Sequence, residues 1–149
     1  MTPLPEYPSA TGECASAPSL RKREVEVASI AGTLRAEVTS ASASWTLDAE
    51  AAAGADPVTA FLGALGGCLL MSLAITARVR NAELGRAAVR LSANEKGHVK
   101  EIKVELEVQT MLDEERLARL VEVAERGCHI KAMLRDDIAF NLSVRRSAG

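Results

Sequence analysis

Two cysteines are the residues of this sequence best suited to chemistry. Cys68 follows Gly66 and Gly67 within an uncharged stretch, and Cys128 follows a glycine where one predicted helix ends and another begins. Backbone N–H groups at the start of a helix lower a thiol pKa, so we expect a reactive Cys128, with Lys131 adding positive charge. The two glycines indicate space beside the Cys68 sulfur. The alternative for both cysteines is a structural role, as small apolar residues that fill the interior.

Metal binding is the main competing use of these cysteines. Zinc needs four ligands, and the candidates are Cys68, Cys128, His98 and His129,. There is no C-x-x-C motif and no histidine pair four residues apart, and adjacent Cys128 and His129 do not easily face one ion. A Cys–His hydrolase relay through His129 lacks a third group. We therefore predict no metal site and no cofactor.

The third cysteine, Cys14, lies in a segment of different composition. Residues 1–20 hold four of the five prolines together with Ser, Thr, Gly and Ala. Such a segment buries too little apolar surface to offset the entropy of ordering it. We predict a flexible N-terminal arm over residues 1–20 and a single domain over residues 21–149.

Overall composition narrows the class of protein. The net charge of -2, the pI of about 5.8 and the aromatic content of 3% argue against a nucleic-acid partner,. An odd number of widely spaced cysteines is not a disulfide scaffold, and the sequence starts without a basic region followed by an apolar run,. These features predict a cytoplasmic protein.

Cys68 lies in an uncharged run from Pro57 to Ala77, and the elements that pack around this run must position both cysteines. A helix apolar on every side is either a membrane span or a buried helix. The flanking segments are amphipathic and need an apolar surface to pack on, which favours a soluble protein with this helix at its centre. Asp56 as N-cap and Pro57 at the first position predict where the helix begins.

Alternating apolar and polar residues predict strands on both sides of that helix. Before it we expect a hairpin with one buried face, turning at Ala31-Gly32, and a third strand near residues 44–47. After it we expect a short strand over 87–91, a turn over 93–97, and a strand with Ile102, Val104, Leu106 and Val108 inward. Asp113 then caps a helix that Gly127 interrupts, and residues 138–144 form the last strand.

This order predicts an α+β domain, with helices on one face of antiparallel sheets and a long buried central helix. A helix that is apolar all round needs more cover than one small sheet provides. A second copy of the chain is the natural cover, so we predict a homodimer. Small residues allow the close approach of two helices, and they include Gly63, Ala64, Gly66 and Gly67,.

Two stretches resemble a known family. The sequence D-P-V-T-A-F-L-G-A-L-G-G-C from Asp56 to Cys68 is similar to the N-P-x-E-x-L-x-A-x-x-x-C helix of OsmC/Ohr proteins. The sequence A-E-R-G-C-H-I-K-A-M-L from Ala124 to Leu134 resembles the family's second cysteine, which precedes a short helix. The resemblance extends over nearly everything from Arg23 to Val144.

The resemblance implies an intertwined OsmC-like homodimer with active sites at the subunit interface. Cys68 would be the thiolate that attacks an organic hydroperoxide and becomes a sulfenic acid, and Cys128 would resolve that acid as a disulfide. A dithiol, in this family usually on a lipoylated protein, would reduce the disulfide. The activity implied is a peroxidase for organic, lipid-type hydroperoxides in oxidative stress defence, without metal or flavin.

The sequence departs from the family pattern at several positions. A family glutamate, ten or nine residues before the first cysteine, is replaced by Val58 and Thr59. Arg35 is the best candidate for the family arginine that holds the thiolate, and Glu50 is the candidate replacement for the carboxylate that orients it. His129 stands where many relatives have proline.

These departures leave a second hypothesis open beside the peroxidase. The protein would then be a non-enzymatic dimer that binds a small hydrophobic ligand or senses redox state. The two hypotheses differ in turnover, because only a peroxidase consumes hydroperoxide catalytically when a dithiol is present.

Overall fold

The elements of the computed structural model follow the predicted order, and the structure describes residues 22–148. The predicted arm over residues 1–20, with Cys14, lies outside the described residues. The elements are β1 (Glu26–Ile30), β2 (Arg35–Thr39), β3 (Ser44–Asp48), α1 (Pro57–Val79), β4 (Ala87–Lys96), β5 (His98–Gln109), α2 (Glu114–Arg126), a 3-10 turn (Lys131–Met133) and β6 (Ala139–Ser147).

Helix α1 begins where the sequence predicts. The Asp56 carboxylate accepts the backbone N–H groups of Val58 at 3.0 Å and Thr59 at 3.1 Å, and it also accepts the Thr59 hydroxyl. The cap therefore satisfies N–H groups that have no partner inside the helix. Along the helix, one face is buried at four-residue spacing: Leu65, Leu69, Leu73 and Ala77.

That buried face packs on β5 and α2. Every second residue of β5 is apolar and points inward, as predicted, and α2 adds its apolar face to the same core. The predicted cap Asp113 begins α2 by accepting the Arg116 N–H at 2.8 Å. The core residues contributed by β5 and α2 are Ile102, Val104, Leu106, Val108, Leu117, Leu120, Val121 and Ala124.

The two sheets differ in strand direction. Sheet A (β1-β2-β3) is antiparallel throughout, whereas sheet B (β4-β5-β6) pairs β4 with β5 antiparallel and β5 with β6 parallel. The prediction of antiparallel sheets is therefore wrong for β6. Helix α2 and the 3-10 turn form a crossover between β5 and β6, which returns the chain to the end of the sheet where β5 began.

Strand β4 is longer than the sequence suggested. It runs to Lys96, and the turn is confined to Gly97, whose φ of +82° is readily adopted by glycine,. The predicted short strand over 87–91 and turn over 93–97 are corrected accordingly. Asn94 is exposed, and the register with β5 shifts between Asn94 and Glu95.

Sheet A is largely uncovered within one chain. The predicted buried face of the hairpin is not buried, because α1 reaches this sheet mainly through β3. Val38 is buried, but the other large apolar side chains of this region are exposed: Val25, Val27, Ile30, Leu34 and Trp45.

Helix α1 is likewise buried on one face only. Met71, Ile75 and Val79 are 68%, 64% and 76% exposed, and Gly63 and Gly67 have open space beside them. A single chain therefore covers one face of α1, and burial of the opposite face stays a prediction that depends on a second copy of the chain. By length and composition α1 would also cross a membrane, but Leu65, Leu69, Leu73 and Ala77 make it a core helix of this fold.

Residues 49–55 connect sheet A to α1 under tight constraints. A Cβ on Gly54 would lie 2.1 Å from the Thr46 carbonyl oxygen, so only glycine allows this approach to β3. Ala51 has a φ of +53°, which costs a residue with a Cβ about 1–2 kcal/mol,.

Two substitutions in this connection should have opposite effects. Gly54→Ala should lower the free energy of unfolding by about 1–3 kcal/mol because the backbone must move. Ala51→Gly should raise it by up to about 1 kcal/mol, since relief of the positive φ outweighs the entropy of glycine. Urea unfolding measures both, and two changes of the same sign would contradict this description of the connection.

Candidate thiol site

The structure brings Cys68 and Cys128 together in one apolar cluster. Cys68 lies half-buried near the middle of α1, and Cys128 is 1% exposed immediately after α2. Both contact a core cluster shared with Leu65, Leu69 and Ile102. Cys68 and Cys128 are both free thiols.

A close crossing of the two helices places the cysteines side by side. The Ser72 hydroxyl, one turn after Cys68, donates to the Ala124 carbonyl oxygen at 2.7 Å. A Cβ on Gly127 would lie 3.0 Å from the same hydroxyl oxygen. Gly127 therefore lets the end of α2 approach α1, and Cys128 follows directly. The sequence marks Gly127 as a helix end, but it gives no sign of its contact with Ser72.

The environment of Cys68 favours its ionised form. Burial is the largest single effect and raises the pKa of Cys68, but several interactions together outweigh it and the pKa is lowered. They are hydrogen bonding from the Ile130 N–H, interaction with the Cys128 thiol, hydrogen bonding from the His129 N–H and the charge of Arg23. Cys68 is therefore the thiol that ionises first.

Cys128 behaves differently from the prediction. Burial raises the pKa of Cys128, and the Cys68 sulfur raises it further, whereas the N–H groups of Lys131 and Ile130 oppose the increase only in part. The expected low pKa of Cys128 is therefore wrong. The backbone N–H groups after α2 do lower a thiol pKa, but the thiol that gains most is Cys68 on the neighbouring helix.

The two glycines before Cys68 have separate surroundings. A Cβ on Gly66 would lie 2.6 Å from Leu91 Cδ1 and 3.1 Å from Val89 Cγ1, so Gly66 allows α1 to pack closely on β4. Gly67 faces open space on the uncovered side of the helix. The space predicted beside the sulfur is therefore not the reason for Gly66, which serves helix packing.

Arg35 is held by a carboxylate that sequence reasoning missed. Arg35 Nε donates to Asp48 Oδ2 at 3.1 Å, and Asp48 is fully buried. The exposed Glu50 contributes only its backbone N–H, which donates to Asp48 at 3.0 Å. The carboxylate beside Arg35 is thus Asp48 and not Glu50. Arg35 and Asp48 are directly opposite in the β2–β3 register, a signal that strand pairing alone would have given.

Arg35 is not among the groups with the largest effects on the Cys68 pKa within one chain. The positive charge that acts there is Arg23, an exposed residue just before β1. No sequence pattern singles out Arg23. The structure therefore brings Cys68 and Cys128 together but does not join Arg35 to them within a single chain.

An apolar cavity of about 350 Å³ lies at the start of α1. Val58 lines this cavity and stands at one of the positions where the family resemblance implies glutamate. Thr59, at the other position, donates its hydroxyl to the helix cap Asp56. Leu62, Leu134 and Ile138 line the cavity and also contact the cluster that contains the cysteines. A larger depression on the solvent face of sheet B is lined by Arg90, Glu105 and Arg145. Neither Cys68 nor Cys128 lines this depression or the apolar cavity.

Both histidine residues are exposed, and within residues 22–148 no three His, Cys, Asp or Glu side chains are grouped to hold a metal ion. Lys131 is held in place near the thiols. It pairs with Glu125, and its Nζ lies 4.9 Å from the centre of the Phe140 ring. These contacts fix the segment after Cys128 against α2 and β6.

The sequence matches the family model described as OsmC-like protein over residues 47–143. The chain belongs to the OsmC-like family. This confirms the resemblance seen in the sequence. A comparison with curated protein sequences gives no significant match.

Solved structures share the OsmC-like fold. An OsmC-like protein from Mycoplasma pneumoniae is 15% identical, with a TM-score of 0.75 over 86% of this chain and 97% of that chain. The organic hydroperoxide resistance protein OhrB of Bacillus subtilis is 24% identical, with a TM-score of 0.63 over 85% and 100%. An organic hydroperoxide resistance protein OsmC from Legionella pneumophila is 19% identical, with a TM-score of 0.62 over 85% and 98%.

The Asp48 site of this OsmC-like protein predicts a pH-dependent stability. The N–H groups of Ala53 and Glu50, and then Arg35, hold the pKa of Asp48 below its ordinary value of 3.8, against the opposing effect of burial. The folded pKa is lower than the unfolded one, so this stabilisation is present above about pH 4 and is lost as pH falls through the folded pKa.

Asp48→Asn should therefore lower the melting temperature at neutral pH, because the amide places N–H groups among donors. The difference in melting temperature between the variant and the native protein should become smaller as the pH falls below 3.8,. Circular dichroism melts over a pH series measure this. Asp137→Asn is the matched control, an exposed carboxylate paired with Arg135 that should matter little,. A difference in melting temperature between the native protein and Asp48→Asn that stays the same over the pH series would contradict a stabilising role of ionised Asp48.

Proposed function

We propose that this OsmC-like protein is a thiol peroxidase that reduces organic hydroperoxides, with Cys68 as the attacking thiolate and Cys128 as the resolving thiol. The observation that carries the proposal is the pairing of a half-buried thiol of lowered pKa with a buried thiol of raised pKa. Nucleophilic attack requires a thiolate, and a sulfenic acid condenses with a nearby thiol, which is the role proposed for Cys128.

The reaction balances without a metal or an organic cofactor. The Cys68 thiolate attacks the distal oxygen of the hydroperoxide, the O–O bond breaks, and the leaving alkoxide takes a proton to become an alcohol. Cys68 is then a sulfenic acid. Cys128 attacks its sulfur, and water leaves as the disulfide forms. A dithiol, for which a lipoylated protein is the candidate, reduces the disulfide by exchange.

The apolar cavity supports an organic substrate. Its lining includes Val58, Phe61 and Leu134, and Leu62 both lines it and packs against the core cluster that contains Cys128. An acyl or aryl group would be desolvated there while the peroxide group meets Cys68. A hydrophobic, lipid-type hydroperoxide suits this cavity better than hydrogen peroxide, and defence against oxidative stress in the cytoplasm is the corresponding role.

The active form proposed is a homodimer. The uncovered face of α1, with Met71, Ile75 and Val79, and the exposed apolar residues of sheet A together need a partner,. Gly63 and Gly67 leave room for a second helix on that face. Arg35 is oriented by Asp48, and it is not among the main influences on the pKa of Cys68 in its own chain. In the proposed dimer, the Arg35 guanidinium would stabilise the Cys68 thiolate of the second copy.

The alternative function is a non-enzymatic dimer that binds a hydrophobic ligand or senses oxidation. The observation that favours it is Val58, which leaves the start of α1 apolar at a position where the family has glutamate. In that case the two thiols would oxidise once without catalytic turnover.

Turnover separates the two functions. We expect the native protein to consume cumene hydroperoxide with dihydrolipoamide as reductant, and Cys68→Ser to abolish consumption. Cys128→Ser should allow one oxidation of Cys68 but slow turnover strongly, because the sulfenic acid is no longer resolved. Equal inactivity of the native protein and Cys68→Ser, with both proteins folded, would refute the peroxidase and favour the alternative.

The dimer has its own test. Ile75→Glu places a charge on the uncovered face of α1 and should convert the native dimer to a monomer in sedimentation velocity. Lys103→Gln changes the charge by the same amount on the exposed face of β5 and should leave the dimer intact. A native protein that sediments as a monomer, or an Ile75→Glu dimer, would contradict the proposal.

A further inference from the structure

Three methionines lie within residues 22–148, and all three are exposed. Met71, Met111 and Met133 are 68%, 85% and 77% exposed. Met71 is on the uncovered face of α1 that is assigned above to the proposed dimer. Met111 follows β5, and Met133 ends the 3-10 turn, so neither belongs to that face. By exposure alone, Met111 would be the more easily oxidised of these two thioethers.

Met133 differs from Met111 in its surroundings, because it lines the apolar cavity at the start of α1. Phe61, Leu134 and Ile138 line the same cavity, and Met111 does not. A side chain that lines a cavity and is still 77% exposed forms part of its rim. The Met133 thioether is therefore accessible both from solvent and to a molecule inside the cavity.

The backbone around Met133 keeps this residue at the rim. The Met133 N–H donates to the Ile130 carbonyl at 3.1 Å, and the Leu134 N–H donates to the Lys131 carbonyl at 3.0 Å. Lys131 is in turn paired with Glu125 on α2, which ties the 3-10 turn to the core helices. The flexible methionine side chain can then adjust to a bound molecule while its backbone stays in place.

We propose that Met133 is an oxidation site, at which an organic hydroperoxide held in the cavity transfers an oxygen atom to the thioether. The inference rests on the proposed function in one respect, that the cavity takes the apolar group of such a hydroperoxide. The cavity volume of about 350 Å³ is within the range of small-molecule sites,. Binding there places the peroxide beside Met133 and not beside Met111.

The reaction needs no further reagent. The Met133 sulfur attacks the distal oxygen of the hydroperoxide, the O–O bond breaks, and the proton on that oxygen passes to the leaving alkoxide. The products are methionine sulfoxide and an alcohol, so the sulfur loses the two electrons that the peroxide gains. Thiolates react before thioethers, and the sulfoxide therefore accumulates only when hydroperoxide exceeds the dithiol reductant.

The sulfoxide changes the cavity in which it forms. Oxidation converts an apolar side chain into a polar one, and a polar group is costly to cover with an apolar ligand. The oxidised cavity should bind the apolar group of a hydroperoxide more weakly. Methionine sulfoxide can be reduced enzymatically, so this loss of affinity is reversible.

The test compares the oxidation rates of Met133 and Met111 in full-length Cys68→Ser, followed by peptide mass spectrometry. This variant removes the proposed peroxidase reaction, so excess hydroperoxide is not consumed. With cumene hydroperoxide we expect Met133 to oxidise at least about fourfold faster than Met111, the ratio that burial of a single methylene group would produce. With hydrogen peroxide, which has no apolar group, we expect no preference for Met133.

A competitor supplies a control that requires no further variant. The alcohol 2-phenyl-2-propanol has the apolar group of cumene hydroperoxide but no O–O bond. In excess it should slow the oxidation of Met133 and leave the rate at Met111 unchanged. After oxidation, an NMR titration should show weaker binding of this alcohol. Adding Met133→Leu to Cys68→Ser should preserve binding after the same treatment, whereas adding Met111→Leu should not.

Three results would overturn the proposal. They are equal rates at Met133 and Met111 with cumene hydroperoxide, the same preference for Met133 with hydrogen peroxide, and a Met133 rate that the alcohol does not change. None of these readouts requires peroxidase activity. A native protein that turns over hydroperoxide while any of these results holds would contradict this inference alone. Preferential oxidation of Met133 in a protein without turnover would contradict the peroxidase alone.

Discussion

The site depends on the close crossing of α1 and the end of α2 over β5. The hydrogen bond from Ser72 to the Ala124 carbonyl joins the two helices where they are nearest, and Gly127 removes the side chain that would keep them apart. Below the crossing, Leu65, Leu69 and the inward residues of β5 close the core. Because the helices meet one turn beyond Cys68, the residue that follows Gly127 lies beside the sulfur.

The same crossing makes the two thiols chemically unequal. Cys128 is enclosed by apolar side chains, and burial raises its pKa. Cys68 is half-buried, and burial raises its pKa, but the N–H groups of the turn after Cys128 and other nearby groups outweigh burial and lower the pKa. A thiol of lowered pKa and a thiol of raised pKa therefore arise from one packing arrangement.

One chain leaves much apolar surface without a partner. The core is formed on one face of α1, while the opposite face and most of sheet A are exposed. Exposed apolar area of this kind is rare in a monomer and marks an interaction surface. Arg35 and Asp48 are fixed in sheet A, and Arg35 is not among the main influences on the pKa of Cys68 in the same chain.

Much of the fold could be predicted from local patterns. Asp56 and Pro57 mark the start of α1, and the alternation in β5 identifies its buried face. The parallel pairing of β6 could not be predicted, because alternation has the same period in parallel and antiparallel strands. The exposure of α1 could not be predicted for a single chain either, since an apolar helix face does not specify which chain covers it.

The cysteines could be recognised from the sequence, but their electrostatics could not. The effect of the His129 and Ile130 N–H groups on the pKa of Cys68 depends on how two helices that are far apart in sequence pack together. Asp48 was missed because its role appears only when Arg35 is aligned opposite it in the sheet. Such cross-strand and cross-helix contacts have no local signature.

The most direct measurement of the central claim is the mass and peptide map of the native protein after reaction with one equivalent of cumene hydroperoxide. The account predicts the loss of two hydrogen atoms and a disulfide between Cys68 and Cys128, with Cys14 still a free thiol. Oxidation at Cys14, or oxygen added to Cys68 without a bond to Cys128, would contradict it, because the packing of α1 against α2 would then not join the two sulfurs in one reaction.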